Sequence, residues 1–123
     1  MMSSNLPCSA LDLTIALLKL AEKLDEREMH SASHYILKHG LRVSDYVHRT
    51  RRLNSKYKCI RNFNIALFEL DKAMNIVIHL HNRGVITDEE YDAVKPNFVC
   101  VRLLLFWDLE KYKRVPDWYK EKE

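Results

Sequence analysis

Apolar residues recur along this chain at steps of three and four, which is the spacing of one face of an α-helix. Four segments carry this pattern, and polar or turn-forming residues separate them. The segments cover residues 10–24, 31–52, 56–83 and 87–115. Ser9 precedes the first segment as a candidate N-cap, and Asn54-Ser55 forms the break before the third. The pattern therefore predicts four helices.

The third and fourth segments carry more apolar surface than the core of one small bundle requires. In the third, one heptad seam is formed by Ile60, Phe63, Leu67, Leu70, Met74 and Val77, and a second stripe beside it by Ile65, Phe68 and Ile76. The fourth is apolar almost all round, through Val99, Leu103, Phe106 and Trp107. Because one seam suffices for a core within the chain, the excess predicts a homo-oligomer.

Local signals mark helix ends and two irregular positions. Gly84 follows the third helix as its C′ residue, and Thr87 with Glu90 forms a capping box that begins the fourth. Pro96 lies inside the fourth helix, where it is expected to kink or interrupt it. Gly40 lies inside the second helix, at a cost of about 1 kcal/mol relative to alanine. We interpret Gly40 as a weak spot or a close contact between helices rather than a hinge.

The predicted architecture is a single-domain, all-α, antiparallel up-down four-helix bundle that oligomerises. It has an N-terminal tail over residues 1–8, the bundle over 9–115 and a charged C-terminal tail over 116–123, beginning at Pro116. Two glycines and three prolines are too few for the frequent turns of a β-sandwich or barrel. The most apolar stretch, 99–109, is about half of the ~20 residues that a membrane span needs. Without a recognisable signal peptide, we expect a cytoplasmic protein with no membrane contact.

The chain offers few candidates for catalysis or metal binding. Cys8, Cys59 and Cys100 are odd in number and lack CxxC spacing, so thiols in a reducing cytoplasm are expected. His30 and His34 have i, i+4 spacing, but no carboxylate at suitable spacing completes a metal site. Two glycines cannot build a P-loop or a dinucleotide-binding fingerprint. We therefore expect no cofactor, no metal and no enzymatic activity.

Charge is distributed unevenly along the chain, although the net charge is only +3. No acidic residue occurs between Tyr46 and Phe68, and the cations of this region cluster within residues 49–61, which we call the basic segment. Its cations are Arg49, Arg51, Arg52, Lys56, Lys58 and Arg61, interleaved with Tyr46, Tyr57 and Phe63. Because such clusters neutralise phosphates, the basic segment predicts binding to RNA, DNA or another polyanion.

Two other interpretations of the charged residues stay open. The basic segment is also typical of a solvated helix face, or of a docking surface for an acidic partner in a structural or protein-interaction module. Arg42 and His48 have the Arg-x5-His spacing, and Arg27 and His34 the Arg-x6-His spacing, of HEPN ribonucleases, which are helical too. The motif is very short, and six positions along a helix place the two side chains on different faces.

Two stretches resemble a family of small four-helix bundles. Residues 55–70 contain Ser55-Lys56, Ile60-Arg61, Ile65-Ala66-Leu67 and Glu69-Leu70, and residues 84–91 read Gly-Val-Ile-Thr-Asp-Glu-Glu-Tyr. The same order of residue types occurs in the bacterial ribosomal-RNA intervening-sequence proteins and in Avd, the accessory variability determinant of diversity-generating retroelements. The resemblance covers roughly residues 38–113. The N-terminal aromatic-rich motif of intervening-sequence proteins is missing here, which favours Avd.

The resemblance to Avd implies a function. Such a protein is a homopentamer with a basic surface that binds the retroelement's reverse transcriptase and its template RNA. It assists mutagenic complementary-DNA synthesis and performs no chemistry itself. The residues that the resemblance implies for nucleic-acid binding are the cations of the basic segment: Arg49, Arg51, Arg52, Lys56, Lys58 and Arg61. An intervening-sequence type of interaction module is the alternative.

Overall fold

Four helices surround one core in the computed structural model, which describes residues 5–50, 52–53 and 55–114. They are α1 Leu6–Glu26, α2 His30–Thr50, α3 Lys56–Asn82 and α4 Asp88–Lys113. Within these ranges there are no strands. The pairs α1–α2, α2–α3, α3–α4 and α1–α4 pack together, so the helices close a ring. The prediction of an all-α, four-helix, single-domain protein is confirmed. None of the described helices has the length and apolarity needed to cross a bilayer.

The buried face of α3 is made of alternating large and small residues. Its apolar members are Cys59, Phe63, Ala66, Leu70, Ala73, Val77 and Leu80. The predicted seam is confirmed at Phe63, Leu70 and Val77. Ile60, Leu67 and Met74 are only partly buried and pack at the edge of the core. The alanines lie at the centre in their place, because a small side chain allows neighbouring helices to approach closely.

Two helix ends and one interior proline differ from, or refine, the sequence-based expectations. α1 begins at Leu6 with Asn5 at its N-cap, earlier than the predicted start, and Pro7 is accommodated because first-turn N–H groups have no helical partner. Gly84 follows α3 with a φ of 74°, which confirms its role as a C′ glycine. α4 continues through Pro96 without interruption. The carbonyl that Pro96 leaves unpaired belongs to Asp92, and both residues are exposed to solvent.

At Gly40, α2 packs closely against Leu17 of α1. A Cβ atom placed on Gly40 would lie 2.4 Å from Cδ1 of Leu17, which is well inside van der Waals contact. Both residues are buried, and Leu17 is 1% exposed. The absence of a side chain therefore admits Leu17 into the interface, which confirms the interpretation of Gly40 as a close contact.

An ion-pair cluster closes the ring between the end of α1 and the start of α4. Arg27 donates from Nη1 and Nη2 to the two carboxylate oxygens of Glu90, at 2.8 and 2.6 Å, and Nη1 also donates to the Val85 carbonyl at 2.9 Å. Lys23 lies 3.7 Å from the same carboxylate. Glu90 also completes the predicted capping box, because its side chain accepts from the Thr87 N–H. The hydrogen bonds from Arg27 lower the pKa of Glu90 to about 2.

The outward face of α4 is apolar, as the sequence indicated. Leu103 is 63% exposed and Trp107 68% exposed, with Val99 and Phe106 exposed beside them. Phe68 of α3 is also exposed. Contact between apolar side chains and water is unfavourable. Exposed apolar faces of this kind therefore often form contacts with other molecules.

We predict that Gly40→Ala lowers the free energy of unfolding by up to about 2 kcal/mol. Overpacking of a dense core costs about 1–3 kcal/mol, and the ~1 kcal/mol that alanine gains over glycine in a helix offsets only part of that cost. Urea unfolding followed by circular dichroism measures the change. In a Leu17→Ala background, which leaves room for the new methyl group, Gly40→Ala should be stabilising instead. An equal destabilisation in both backgrounds would show that Leu17 is not the obstacle.

We also predict that Glu90→Gln destabilises the protein near neutral pH and that this effect fades in acid. A carboxylate with a lowered pKa stabilises the fold above its ordinary value of 4.5, and this contribution is lost as pH falls through about 2. Unfolding curves of wild type and variant should therefore converge over that range. The matched control is Glu89→Gln, which removes the same charge from the same helical turn without touching Arg27. Similar losses in the two variants would contradict the assignment.

Candidate nucleic-acid interface

The basic segment lies at the connection between α2 and α3. Arg49 belongs to the last turn of α2, Arg52 lies in the connecting turn, and the remaining described cations, Lys56, Lys58 and Arg61, occupy the first turns of α3. The structure therefore brings five of the six predicted residues to one end of the bundle. The sixth, Arg51, lies outside the described residues, as do Asn54 and the predicted charged tail from Pro116 onward.

Weak polar contacts join the two sides of this connection. Ser55 is the N-cap of α3, and its hydroxyl accepts a hydrogen bond from the Lys58 N–H at 3.4 Å. The buried Cys59 thiol lies 3.8 Å from the Thr50 carbonyl and 3.9 Å from the Leu53 carbonyl, as a weak donor to both. These contacts link Thr50 and Leu53 to the start of α3, so the end of α2 lies against the first turns of α3.

The cations of the basic segment differ in their electrostatic partners. Arg49 pairs with Asp45 at 2.9 Å, one helical turn earlier. Arg52, Lys58 and Arg61 have no ion pair with any carboxylate in the described part of the chain. Elsewhere, Arg27, Arg42, Arg102, Lys111 and Lys113 each lie within 4 Å of a carboxylate, whereas Lys19, Lys38 and Lys95 have no ion pair among the described residues but are scattered over the surface rather than grouped. The basic segment therefore holds a local excess of positive charge that the described residues do not neutralise.

These cations surround a surface depression of about 410 Å³. Its described lining consists of Tyr46, Arg49, Arg52, Leu53, Lys58, Arg61, Asn62 and Ile65. We call it the basic depression. Four of these residues are cationic, and the described lining contains no acid. Tyr46, Leu53 and Ile65 are half-buried and give the depression an apolar wall, and the largely buried Asn62 adds an amide.

The interleaved aromatic residues have different environments. The guanidinium of Arg49 lies over the Tyr46 ring, 5.2 Å from its centroid. Tyr57 is exposed, with the Lys56 ammonium 5.8 Å from its ring centroid, and does not line the basic depression. Phe63 is buried in the core, 5.4 Å from the Tyr112 ring. Only the two tyrosines are therefore available to a ligand.

The last turn of α4 adds cations that the sequence analysis did not assign to this end. Because Phe63 contacts Tyr112, the C-terminus of α4 lies beside the first turns of α3. Lys111, Lys113 and Arg114 flank Tyr112 in sequence, and Lys113 and Arg114 are exposed. Lys111 and Lys113 pair within α4, with Asp108 at 3.6 Å and Glu110 at 3.4 Å. The cluster of cations at residues 111–114 can be seen in the sequence. Its position beside residues 56–61 depends on tertiary packing and cannot.

A buried polar cluster joins α2 to α3 at mid-height. The Nδ1 of His39 forms a short hydrogen bond with the Glu69 carboxylate, and Arg42 lies 3.6 Å from the second carboxylate oxygen. His39 and Glu69 are 4% and 5% exposed. His39 also contacts the Tyr35 ring, at 4.3 Å between centroids. Sequence reasoning missed this cluster, because its members are thirty positions apart and show no motif.

The residues with HEPN-like spacing have separate contacts in the structure. Arg42 is directed to Glu69 of α3, while the exposed His48 donates from Nδ1 to the Ser44 carbonyl at 2.7 Å in its own helix. Arg27 binds Glu90 of α4, and His34 is exposed on α2. Within the described residues neither arginine contacts its histidine, so these four side chains do not form one centre.

Neither the histidines nor the cysteines assemble a metal centre in the described residues, where no group of three possible ligands occurs. His30 hydrogen-bonds through Nδ1 to Asp25 at 3.0 Å. Cys8 and Cys100 are exposed free thiols, and Cys59 is buried at the α2–α3 connection. Cys59 thus has a packing environment, whereas Cys8 and Cys100 lie on the surface.

Comparison with known proteins supports the fold. A protein of unknown function from the S23 ribosomal protein family of Bacteroides thetaiotaomicron has a similar solved structure, with a TM-score of 0.81. The chains are 21% identical, and the match covers 85% of this chain and 98% of the other. No family model and no curated protein matches this chain. At this identity the likeness concerns the four-helix fold alone, so the resemblance to Avd stays a prediction.

Proposed function

We propose that this protein is a non-enzymatic, nucleic-acid-binding accessory protein whose binding surface is the basic segment. The observation that supports this most strongly is the grouping of Arg52, Lys58 and Arg61 around one depression, with no carboxylate partner among the described residues. Like charges placed together repel, and the fold gains nothing from holding them there. A phosphate backbone supplies the missing counter-charge.

The proposed binding is electrostatic and independent of sequence. Each phosphate neutralised by lysine or arginine releases condensed counterions, so affinity falls as the salt concentration rises. The depression also lies beside the first turns of α3, where the positive end of the helix dipole favours an anion. Binding of this kind requires no catalytic residue.

The partners that we propose are the reverse transcriptase of a diversity-generating retroelement and its template RNA. This proposal rests on the resemblance of residues 55–91 to Avd, and a four-helix bundle is the fold that such a protein requires. In this role the protein holds template RNA in the cytoplasm during mutagenic complementary-DNA synthesis. A protein-interaction module, in which the same cations bind an acidic protein, is the competing outcome of the test below.

We also propose that the bundle is antiparallel and that copies of it associate as a homopentamer. Contacts between the end of α1 and the start of α4, and between Phe63 and Tyr112, support the first part. The exposed apolar face of α4 around Leu103 and Trp107 supports association, because water does not stabilise it. The number five comes from the resemblance to Avd. Association repeats the basic depression and multiplies the avidity for a long strand.

We predict that the triple variant Arg52→Glu, Lys58→Glu, Arg61→Glu loses RNA binding. If each cation neutralises one phosphate of a single strand, removal of three contacts lowers the slope of log affinity against log salt by about 2. Fluorescence anisotropy with a labelled single-stranded RNA, over a series of salt concentrations, measures both affinity and slope. Circular dichroism should show unchanged helicity, because all three side chains are exposed.

The control makes the same change in net charge elsewhere on the surface. Lys19→Glu, Lys38→Glu, Lys95→Glu alters three exposed lysines outside the basic segment, and it should retain most of the RNA affinity. Equal loss in the two triple variants would mean that only net charge matters. Undetectable RNA binding by the wild-type protein at about 50 mM salt would overturn the proposed function and favour an acidic protein partner.

A further inference from the structure

We infer that the basic depression is a site for one unstacked nucleotide of a single strand, with its base against the apolar wall and its phosphate on the cations. This inference rests on the proposed nucleic-acid binding and deepens it, because it specifies a strand form and a contact to the base. Cations alone would bind the phosphates of a duplex as well as those of a single strand. The apolar wall of the depression is therefore the feature that favours a single strand.

The lining of the basic depression matches the two halves of a nucleotide. Arg52, Lys58 and Arg61 provide unneutralised positive charge at its rim, which suits a phosphate. Half-buried Leu53 and Ile65 provide apolar contact within the same depression. A free inorganic anion would use only the first of these groups, and an apolar ligand only the second.

Tyr46 is the residue that gives the site a contact for a base. Tyr46 lines the depression, and the Arg49 guanidinium lies 5.2 Å from the centroid of its ring. Aromatic rings and guanidinium planes are the surfaces on which single-stranded bases stack. The amide of Asn62, in the same lining, can donate to and accept from the edge of a base. Bases within a duplex are already stacked and do not present a face to such a wall.

The volume of the depression agrees with a ligand of this size. At about 410 Å³ it lies within the ~300–1,000 Å³ range of sites that hold small organic molecules. A nucleic-acid duplex or a long helical peptide is too large to enter the depression. The extended strand would therefore contribute one nucleotide to each depression and pass from copy to copy of the protein along its backbone.

The test compares three probes of equal length: single-stranded RNA, the same sugar–phosphate backbone without bases, and duplex RNA. Wild-type protein should bind the base-bearing single strand at least about fivefold more tightly than the abasic strand, because stacking on an aromatic side chain contributes at least that factor. Tyr46→Leu keeps an apolar side chain and all cations, so it should abolish this preference while its affinity for the abasic strand is unchanged. Tyr57→Leu, at the exposed tyrosine outside the depression, should keep the preference.

A second measurement does not depend on a folded variant. Single-stranded RNA containing the fluorescent base 2-aminopurine should change its emission when bound to wild-type protein, because the base enters a stacked, apolar environment. Equal affinity for base-bearing and abasic strands, preference for the duplex, or tighter binding of polyglutamate would overturn the inference. The first two results leave electrostatic nucleic-acid binding intact. Failure to bind any of the three nucleic-acid probes would overturn the proposed function as well.

Discussion

The buried hydrogen bond between His39 and Glu69 sets the alignment on which the candidate site depends. A buried carboxylate without partners is strongly unfavourable, and here His39 and Arg42 of α2 satisfy the two oxygens of a carboxylate on α3. A slip of α2 along α3 by one turn, about 5.4 Å, would leave Glu69 unpaired. Buried ion pairs often add little net stability, but they penalise alternative packings. Apolar contacts stabilise α2 on α3, and this cluster selects their register.

The register set at mid-height determines which cations meet at the end of the bundle. From His39 and Glu69, α2 runs toward Arg49 while α3 begins near Lys58, and Cys59 contacts the Thr50 carbonyl where the helices join. Arg52 and Arg61 therefore line one depression although nine positions separate them. The opposite end has a different electrostatic character, because Arg27 and Glu90 neutralise each other there. Arg27 is paired where the ring of helices closes, whereas Arg52 and Arg61 have no carboxylate partner among the described residues where a polyanion is proposed to bind.

Much of this arrangement could be predicted from the sequence, because it depends on local rules. The capping box of Thr87 and Glu90 and the C′ glycine Gly84 are defined by residues within one turn of each other, and all were identified. The α2–α3 location of the cations also followed from the helix pattern. Properties that depend on contacts between helices could not be predicted from the sequence. The pairing of His39 with Glu69 and the second role of Glu90, in binding Arg27, join helices that no short motif connects.

Residue size and solvent exposure account for the other differences. The heptad pattern placed Leu67 and Met74 in the centre of α3, whereas Ala66 and Ala73 occupy it, because hydrophobicity alone does not measure how closely two helices approach. Pro96 was expected to kink or interrupt α4, yet its position on the solvent side allows water to satisfy the carbonyl it leaves free. In both cases the sequence shows which residues are present in the helix, and their position relative to the core and the solvent determines their effect on the structure.

The apolar face of α4 and the basic depression are connected by the same physical requirement. A single depression that binds one nucleotide, as proposed, would have a low affinity, because it neutralises few phosphates at once. Repetition of the depression in an assembly converts later contacts into intramolecular ones and raises the overall affinity. Trp107 lies little more than one turn before Tyr112, which packs on Phe63 beside the basic segment. Association through this part of α4 would therefore bring neighbouring basic ends close together, so that Arg52 and Arg61 of several copies would contact one strand.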